Sequence, residues 1–284
     1  MVEIIPLWLV NLLSFLTVFS VMMSIGTAVT VSVCFDNLRS PPLLTRGLSS
    51  VLVIVPAIGV SASFACGLNL AEKVGVALIV MAPGAPLALR RALASGADAG
   101  FATTLQIVVA FFAVVVLPLW VILGNTILGT HGIADAGSVA KQVLLAQLLP
   151  LVLGAFAKRV APVRGPWIGT MLGRAGAVLL IVAITSIVVD LPYSVVATHP
   201  RPIVVAVATT IAALFLGHLV GGPRLEVRHA IAIAGAMRNV GLALLIATIN
   251  RTPPVVEVII LSYGITAIVI VTVYIRWWNI HRAL

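Results

Sequence analysis

Hydrophobic residues recur along this chain in runs of about twenty, and short polar segments separate the runs. A helical run of that length crosses the hydrocarbon core of a bilayer. The runs lack the strict alternation of polar and apolar residues that membrane β-barrel strands show. The pattern therefore predicts an all-α membrane protein with about nine transmembrane helices, near residues 7–33, 48–69, 73–89, 99–123, 141–157, 175–191, 203–221, 229–248 and 255–275.

The composition agrees with this pattern. Apolar residues make up 61% of the chain and charged residues only 9%, whereas a soluble domain carries about 25% charged residues. Most of the surface is therefore expected to face lipid. The net charge of +9 comes from basic residues in the short loops, which favours a role in topology and argues against a nucleic-acid partner. The spans carry no nucleophile or metal-ligand constellation, so we expect neither an enzyme nor a cofactor.

The basic residues fall mainly into alternate loops, as the positive-inside rule requires. Twelve lie in one set of loops and four in the other, which predicts an external N-terminus and a cytoplasmic C-terminus. Arg outnumbers Lys 14 to 3 and Ala and Val dominate, a composition typical of a high-GC bacterium, so we expect a bacterial plasma (inner) membrane. The larger set is Arg39, Arg46, Arg90, Arg91, Lys158, Arg159, Arg164, Arg174, Arg224, Arg228, Arg276 and Arg282, and the smaller is Lys73, Lys141, Arg201 and Arg251.

Arg238 is the one basic residue outside these loops, and it lies in the middle of the eighth span. An arginine at the bilayer centre costs about 2.5–3.5 kcal/mol even on the lenient insertion scale. All eight carboxylates lie at or beyond the predicted span ends, so none is expected to neutralise Arg238. We expect this side chain to face a cavity lined by protein, or else to hydrogen-bond backbone carbonyls in a structural role.

Two of the nine spans are predicted to be interrupted. Pro83, Gly84 and Pro86 lie inside the third run, where proline removes a backbone donor and clashes with the preceding turn. The eighth run carries Arg238 and Asn239 between two glycines. Broken helices at membrane depth are tolerated where they line a cavity, and one in each half of a chain is typical of inverted-repeat transporters.

Three segments of the chain resemble the bile acid:sodium symporter family, in the wider group that includes arsenite exporters and auxin-efflux-like carriers. The segment VMAPGAPLALRRALASGADAGFATTLQ is similar to the family's first crossing helix, C-P-G-G-T-x-S-N, and the helix after it. The segment AIAGAMRNVGLALLIA resembles the second crossing helix, E-x-x-x-Q-N-x-G-L-A. The segment MMSIGTAVTVSVCFDNLRSPP resembles an early helix of the family.

The resemblance implies ten helices in two inverted repeats, sorted into a panel and a core that move against each other in alternating access. The chain starts late in that pattern, so the resemblance implies that the first helix is missing. We expect a single transporter domain over 1–284, with repeats of about 1–140 and 141–284. The panel is expected to comprise the first, fifth and sixth spans, and the core the others.

The family's sodium ligands fall on residues of this chain that cannot bind sodium. The positions that match them are Ala88, Leu89, Ala234 and Arg238, whereas a hard cation needs oxygen ligands. We therefore predict a sodium-independent secondary transporter with Arg238 in place of a sodium ion. A guanidinium pairs bidentately with carboxylate or sulfate, so the predicted cargo is a small organic anion, although Arg238 as a stand-in for sodium without cargo contact stays open.

The candidate substrate-binding residues surround the two interruptions. Gln106 and Thr103 join them because they lie early in the fourth span, the helix that follows the first crossing helix. Two other functions stay open: a metalloid exporter of the same superfamily, for which Cys34 and Cys66 lie in the wrong spans, and a non-transporting subunit of a membrane complex. The candidates are Arg238, Asn239, Met237, Pro83, Gly84, Ala85, Gln106 and Thr103.

Overall fold

The computed structural model describes residues 6–29, 34, 41–129, 134–190 and 200–282, and these residues form helices with no strand. Two π-helical turns, Ser50–Ile54 and Leu144–Leu148, each join two consecutive α-helices. The helices are α1 Leu7–Ala28, α2 Pro41–Ser49, α3 Val55–Ala65, α4 Leu70–Met81, α5 Pro86–Ala94, α6 Ala99–Leu128, α7 Ala136–Val143, α8 Leu149–Val160, α9 Arg164–Asp190, α10 Arg201–Val220, α11 Leu225–Ala236, α12 Val240–Ile249 and α13 Pro254–Arg282.

Eight continuous or joined helices within the described residues are long and apolar enough to cross a membrane. The pair α4 and α5 makes a ninth span if its two parts, bent by 60°, are taken together. The all-α membrane fold is therefore confirmed. The sixth span begins earlier than predicted, since α9 starts at Arg164 rather than near residue 175. Arg164 and Arg174 are both exposed on this helix, and long basic side chains at a helix end can reach the membrane surface.

Carboxylates at the starts of the described helices serve as caps or lie in first turns. Asn69 and Glu72 form a capping box at the start of α4, with hydrogen bonds of 2.9 and 2.8 Å. Asp98 accepts from the N–H of Phe101 at the start of α6, and Asp135 caps α7. The predicted position of these acidic residues at span ends follows from this chemistry, because a helix N-terminus presents free N–H groups.

The helices divide into two compact units that interleave along the chain. Unit 1 comprises Met1–Val29, Val114–Thr198 and Gly241–Val258. Within it α1 packs along α8 and α9. Gly26 and Gly154 face each other, and a methyl group on Gly26 would overlap the carbonyl oxygen of Leu151. Small residues at such a contact let two helix backbones approach closely, which is how helices associate in lipid.

Unit 2 comprises Thr30–Ala113, His199–Val240 and Ile259–Leu284. Within it α10 packs along α11 and also contacts α3, while α11 contacts α5. Gly217 on α10 lies against the backbone of Ala232 on α11. Unit 2 contains both interruptions predicted from the sequence, and its core is therefore where the candidate site must be sought.

Contacts between loops agree with the alternation inferred from the basic residues. In unit 2 Arg224 lies 3.6 Å from Asp98, and Asn279 donates to the carbonyl of Ala94. In unit 1 the Lys158 ammonium donates to the carbonyl of Ala28, and Asn250 accepts from the N–H of Asp135. Each contact joins loops or span ends that the alternation places on the same side of the membrane.

Candidate functional site

The first interruption separates α4 from α5 at residues 82–85. Ala82 leaves the helical region with φ −87° and ψ 89°, and Gly84 has φ +78°. A positive φ of this size favours glycine, because a Cβ would crowd the backbone. Pro86 then occupies the first turn of α5, where its missing N–H costs nothing. The residues from Ala82 to Ala85 are all buried.

The second interruption, residues 237–239, separates α11 from α12 and contains no proline. The helix ends at Ala236, and Met237 takes an extended conformation with φ −93° and ψ 124°. Met237, Arg238 and Asn239 are only 3–4% exposed. Met237, Arg238 and Asn239 include no proline and have no positive φ, so no residue of this segment has to leave the helix for steric reasons. The break therefore depends on partners elsewhere in unit 2.

A backbone hydrogen bond joins the two interruptions. The N–H of Asn239 donates to the carbonyl oxygen of Ala82 at 2.9 Å. The structure thereby brings together the candidates of the second break, Met237, Arg238 and Asn239, with the segment that holds Pro83, Gly84 and Ala85. The two helices that the sequence predicted to be broken therefore meet at their breaks.

Within the described residues the Arg238 guanidinium has one hydrogen bond, to a carbonyl that a proline has left without a helical donor. Its Nη1 donates to the carbonyl oxygen of Val51 at 2.9 Å. In the π-helical turn the N–H of Val55 bonds the carbonyl of Ser50, five residues back. The next donor in that register would be residue 56, but Pro56 has no N–H. Val51 is therefore free to accept from Arg238, as the structural interpretation of this arginine expected.

The other two guanidinium nitrogens of Arg238 have no such acceptor. Nε and Nη2 are buried and lack a hydrogen-bond partner in the described part of the chain. No carboxylate of that part forms an ion pair with Arg238. A buried donor without a partner costs about 1–3 kcal/mol, and more when the group is charged. The arrangement therefore holds a positive charge and two donors that an anion can satisfy.

Three buried hydroxyls of unit 2 were not predicted from the sequence. Tyr263 on α13 is within electrostatic range of the guanidinium, and its hydroxyl lies close to those of Thr209 and Thr210 on α10. All three residues are at most 1% exposed. They sit inside apolar runs without any motif, and the one available signal was their polarity on predicted transmembrane helices.

The positions matched to the family's sodium ligands carry no side-chain oxygen in this chain. Ala88 lies on α5 and is buried, while Leu89 and Ala234 are half-buried. Of the four positions only Arg238 brings a polar group, and that group is a cation. These four side chains therefore offer no oxygen ligand to a sodium ion.

Gln106 and Thr103 lie on α6, the helix that follows the first broken helix. Gln106 is buried and its Nε2 has no partner in the described residues, whereas Thr103 is half-buried. Leu105, between them, lies near Gly47 of α2 and Ile231 of α11. This turn of α6 therefore packs within unit 2. A role of Gln106 and Thr103 in substrate binding stays a prediction.

Comparison with known proteins agrees with the architecture. A family model described as the sodium bile acid symporter family matches residues 15–198. The match covers more than half of the chain and includes the first break, while the second break lies beyond it. No curated protein matches the chain.

Proposed function

The chain belongs to the sodium bile acid symporter family, and we propose that it is a secondary transporter of a small organic anion that needs no sodium. As a member of this family it is a multi-pass membrane transporter. The observation that carries the proposal is the buried Arg238 guanidinium at the contact of the two breaks, with two nitrogens lacking a partner. Fixed cationic charge at that point favours an anion and disfavours a cation.

The absence of sodium coupling follows from ligand chemistry. Sodium is a hard cation that needs several oxygen ligands. Ala88, Leu89 and Ala234 supply none, and the Arg238 charge repels a second cation. The guanidinium instead takes a backbone carbonyl, that of Val51, as one of its partners. Arg238 then stands where sodium would supply the positive charge, so that charge is permanent rather than exchangeable.

Selectivity for an organic anion follows from the donors of Arg238. A guanidinium presents planar N–H pairs that match the two oxygens of a carboxylate. In water-poor surroundings such a pair is much stronger than at a protein surface. Asn239 and the backbone of the first break, from Pro83 to Ala85, then complete the candidate binding region.

Alternating access is the mechanism we propose for this carrier. Packing of α1 on α8 and α9 within unit 1 supports a panel that contains the first, fifth and sixth spans. The first broken helix and the first half of the second, α11, lie in unit 2, whereas α12 after Val240 belongs to unit 1, which departs from the expected core. Inverted repeats, an external N-terminus and a location in a bacterial inner membrane belong to the same proposal.

The purified protein in proteoliposomes tests the function. A thermal-shift screen of keto acids, sulfated steroids and pantothenate-like acids, in sodium and in potassium buffer, identifies a cargo because ligand binding stabilises the folded state. The radiolabelled hit is then taken up by the proteoliposomes with and without a sodium gradient. We expect equal uptake in both; uptake that requires the sodium gradient contradicts sodium independence.

Substitution of Arg238 tests its role in transport. We expect Arg238→Gln to reduce uptake at least tenfold, since a charge-assisted hydrogen bond contributes about 1.5–3 kcal/mol. Arg238→Lys keeps the charge but loses the paired donors, so it should retain an intermediate rate. Arg174→Gln, an exposed arginine on α9, is the control and should transport normally. Full uptake with unchanged affinity in Arg238→Gln would refute the role.

A further inference from the structure

Thr209 and Thr210 lack a hydrogen bond that most other threonines of the described helices make. A threonine in a transmembrane helix commonly donates to a carbonyl of the preceding turn, and Thr17, Thr104 and Thr272 do so at 2.6–2.8 Å. The hydroxyls of Thr209 and Thr210 have no such bond although both residues are fully buried. Their donors are therefore available to a group that is not part of the helix.

The Tyr263 hydroxyl shares this condition. It is buried on α13, close to both threonine hydroxyls, yet none of the three has a partner in hydrogen-bonding geometry within the described residues. Buried polar groups without partners are uncommon, and each one calls for an explanation such as an ion or water that binds there. Five such atoms are gathered here: the three hydroxyls together with Nε and Nη2 of Arg238.

The packing of unit 2 places these groups at one point. Gly235, one turn before Arg238 on α11, faces Ala213 of α10 and Val55 of α3, each 3.6 Å from where a methyl group on this glycine would lie. Thr209 and Thr210 lie one turn before Ala213. On α13 Gly264, next to Tyr263, packs against Val240, which follows the second break. Segments of α3, α10, α11 and α13 therefore lie close to the second break, which carries Arg238.

We propose that Arg238, Tyr263, Thr209 and Thr210 form a binding site for a small monovalent anion inside unit 2. Every polar side chain of the set can donate a hydrogen bond, and the one full charge is positive, so the chemistry fits a halide ion or a small carboxylate group. The groups are at most 4% exposed, which restricts the ligand to a compact one. One cation and no carboxylate in the set favour a single negative charge.

This site does not rest on the identity of the transported cargo. The anion satisfies donors that otherwise remain buried without partners, and it neutralises the charge of Arg238 inside the membrane. Arg238 is common to this site and to the proposed transport function, whereas the three hydroxyls belong to this site alone. Variants of the hydroxyls therefore separate the two proposals.

Thermal stability of the purified protein measures anion binding directly. Melting is followed in potassium gluconate while chloride, bromide, formate or acetate replaces gluconate at constant ionic strength. We expect a saturable rise in melting temperature with the small anions and none with gluconate, which is too large. A rise with formate and acetate alone identifies the carboxylate of an organic ligand, and a rise with chloride and bromide identifies a halide site. Equal melting in all five salts overturns the proposal.

Removal of the hydroxyls tests which residues bind the anion. We expect Tyr263→Phe, and separately Thr209→Val with Thr210→Val, to weaken anion binding at least fivefold. Stability without the anion should be unchanged or higher, because each change removes a buried polar atom that lacks a partner. Thr17→Val, in which a back-bonded hydroxyl is lost, should be less stable and bind the anion normally. Hydroxyl variants that lose stability in gluconate but keep the wild-type anion response would overturn the site. In that case, transport that still depends on Arg238 would leave the proposed function intact.

Discussion

The two helix breaks of unit 2 meet through one hydrogen bond but are built in different ways. The first break carries its cause in its own residues: Pro83 and Pro86 lack an N–H, and Gly84 has a positive φ. The second break has neither proline nor positive φ. Its polar residues, Arg238 above all, bond to other helices instead, as the contact with Val51 shows.

The difference shows where each conformation is encoded. The first break is encoded locally, and its geometry should survive changes in its surroundings. The second break depends on tertiary partners: the carbonyl freed by Pro56, the Ala82 carbonyl, and the groups around the guanidinium. We expect the first break to tolerate few changes of its own residues and the second to respond to substitutions on distant helices.

The largest effect is expected at Gly84. Gly84→Val forces a β-branched residue into the left-handed region, which costs about 1–3 kcal/mol from the backbone alone. The position is also fully buried, so the added side chain needs space that neighbours must give up. Lower melting temperature and loss of transport are the expected results, measured by thermal unfolding in detergent and by proteoliposome uptake. Wild-type stability of this variant would show that the first break is not encoded by Gly84.

An intermediate effect is expected at Pro56. Arg238→Ala leaves the Val51 carbonyl without a donor in the native chain, but Pro56→Ala restores the N–H that can reach it. We therefore expect Arg238→Ala to lower the unfolding free energy of the Pro56→Ala variant by about 1 kcal/mol less than it lowers that of the native chain. A double-mutant cycle of unfolding free energies measures this coupling.

Pro150 provides the matched control for that cycle. It follows the second π-helical turn, Leu144–Leu148, just as Pro56 follows the first. Pro150→Ala lies in unit 1 and should leave the cost of Arg238→Ala unchanged. Equal coupling of both prolines to Arg238, or of neither, would contradict the tertiary origin of the second break.

The smallest effect is expected at Gly235, one turn before the second break. Its φ is not in the left-handed region, and an added Cβ meets Ala213 and Val55 at 3.6 Å, an ordinary contact distance. Gly235→Ala should therefore raise the unfolding free energy by about 0.5–1 kcal/mol through helix propensity. Thermal unfolding of Gly235→Ala, run in parallel with Gly84→Val, measures this gain. A loss of stability in Gly235→Ala would mean that the second break also needs glycine.

The sequence predicts the spans well because the hydrophobic runs and the loop charges are strong, independent signals. It also predicts both breaks, one from prolines and one from Arg238 within an apolar run. The start of α9 was missed, because Arg164 and Arg174 resemble loop residues although they extend a helix. The position of an arginine in the sequence does not show whether its side chain can reach the membrane surface from within a helix.

The partners of Arg238 were beyond the sequence. Val51 contributes a backbone carbonyl, which any residue has, and its availability comes from a π-helical turn and Pro56 together. Tyr263, Thr209 and Thr210 become notable only because their hydroxyls lack bonds that similar residues make. Such facts depend on the packing of helices far apart in the chain, so a single sequence cannot reveal them.

The segment Leu225–Ile249, which carries the second break, is buried within the protein to a greater degree than the other spans. In this segment 89% of the most apolar 18-residue stretch is buried, whereas the corresponding share is 28–44% in the other seven spans of the described residues. Its entry into the membrane during synthesis therefore cannot rest on its own affinity for lipid, which Arg238 reduces. The earlier spans are expected to receive it, and α13, which is made after it and carries Tyr263, packs against it at Val240. Biogenesis of this carrier is thus expected to be cooperative at these two crossings.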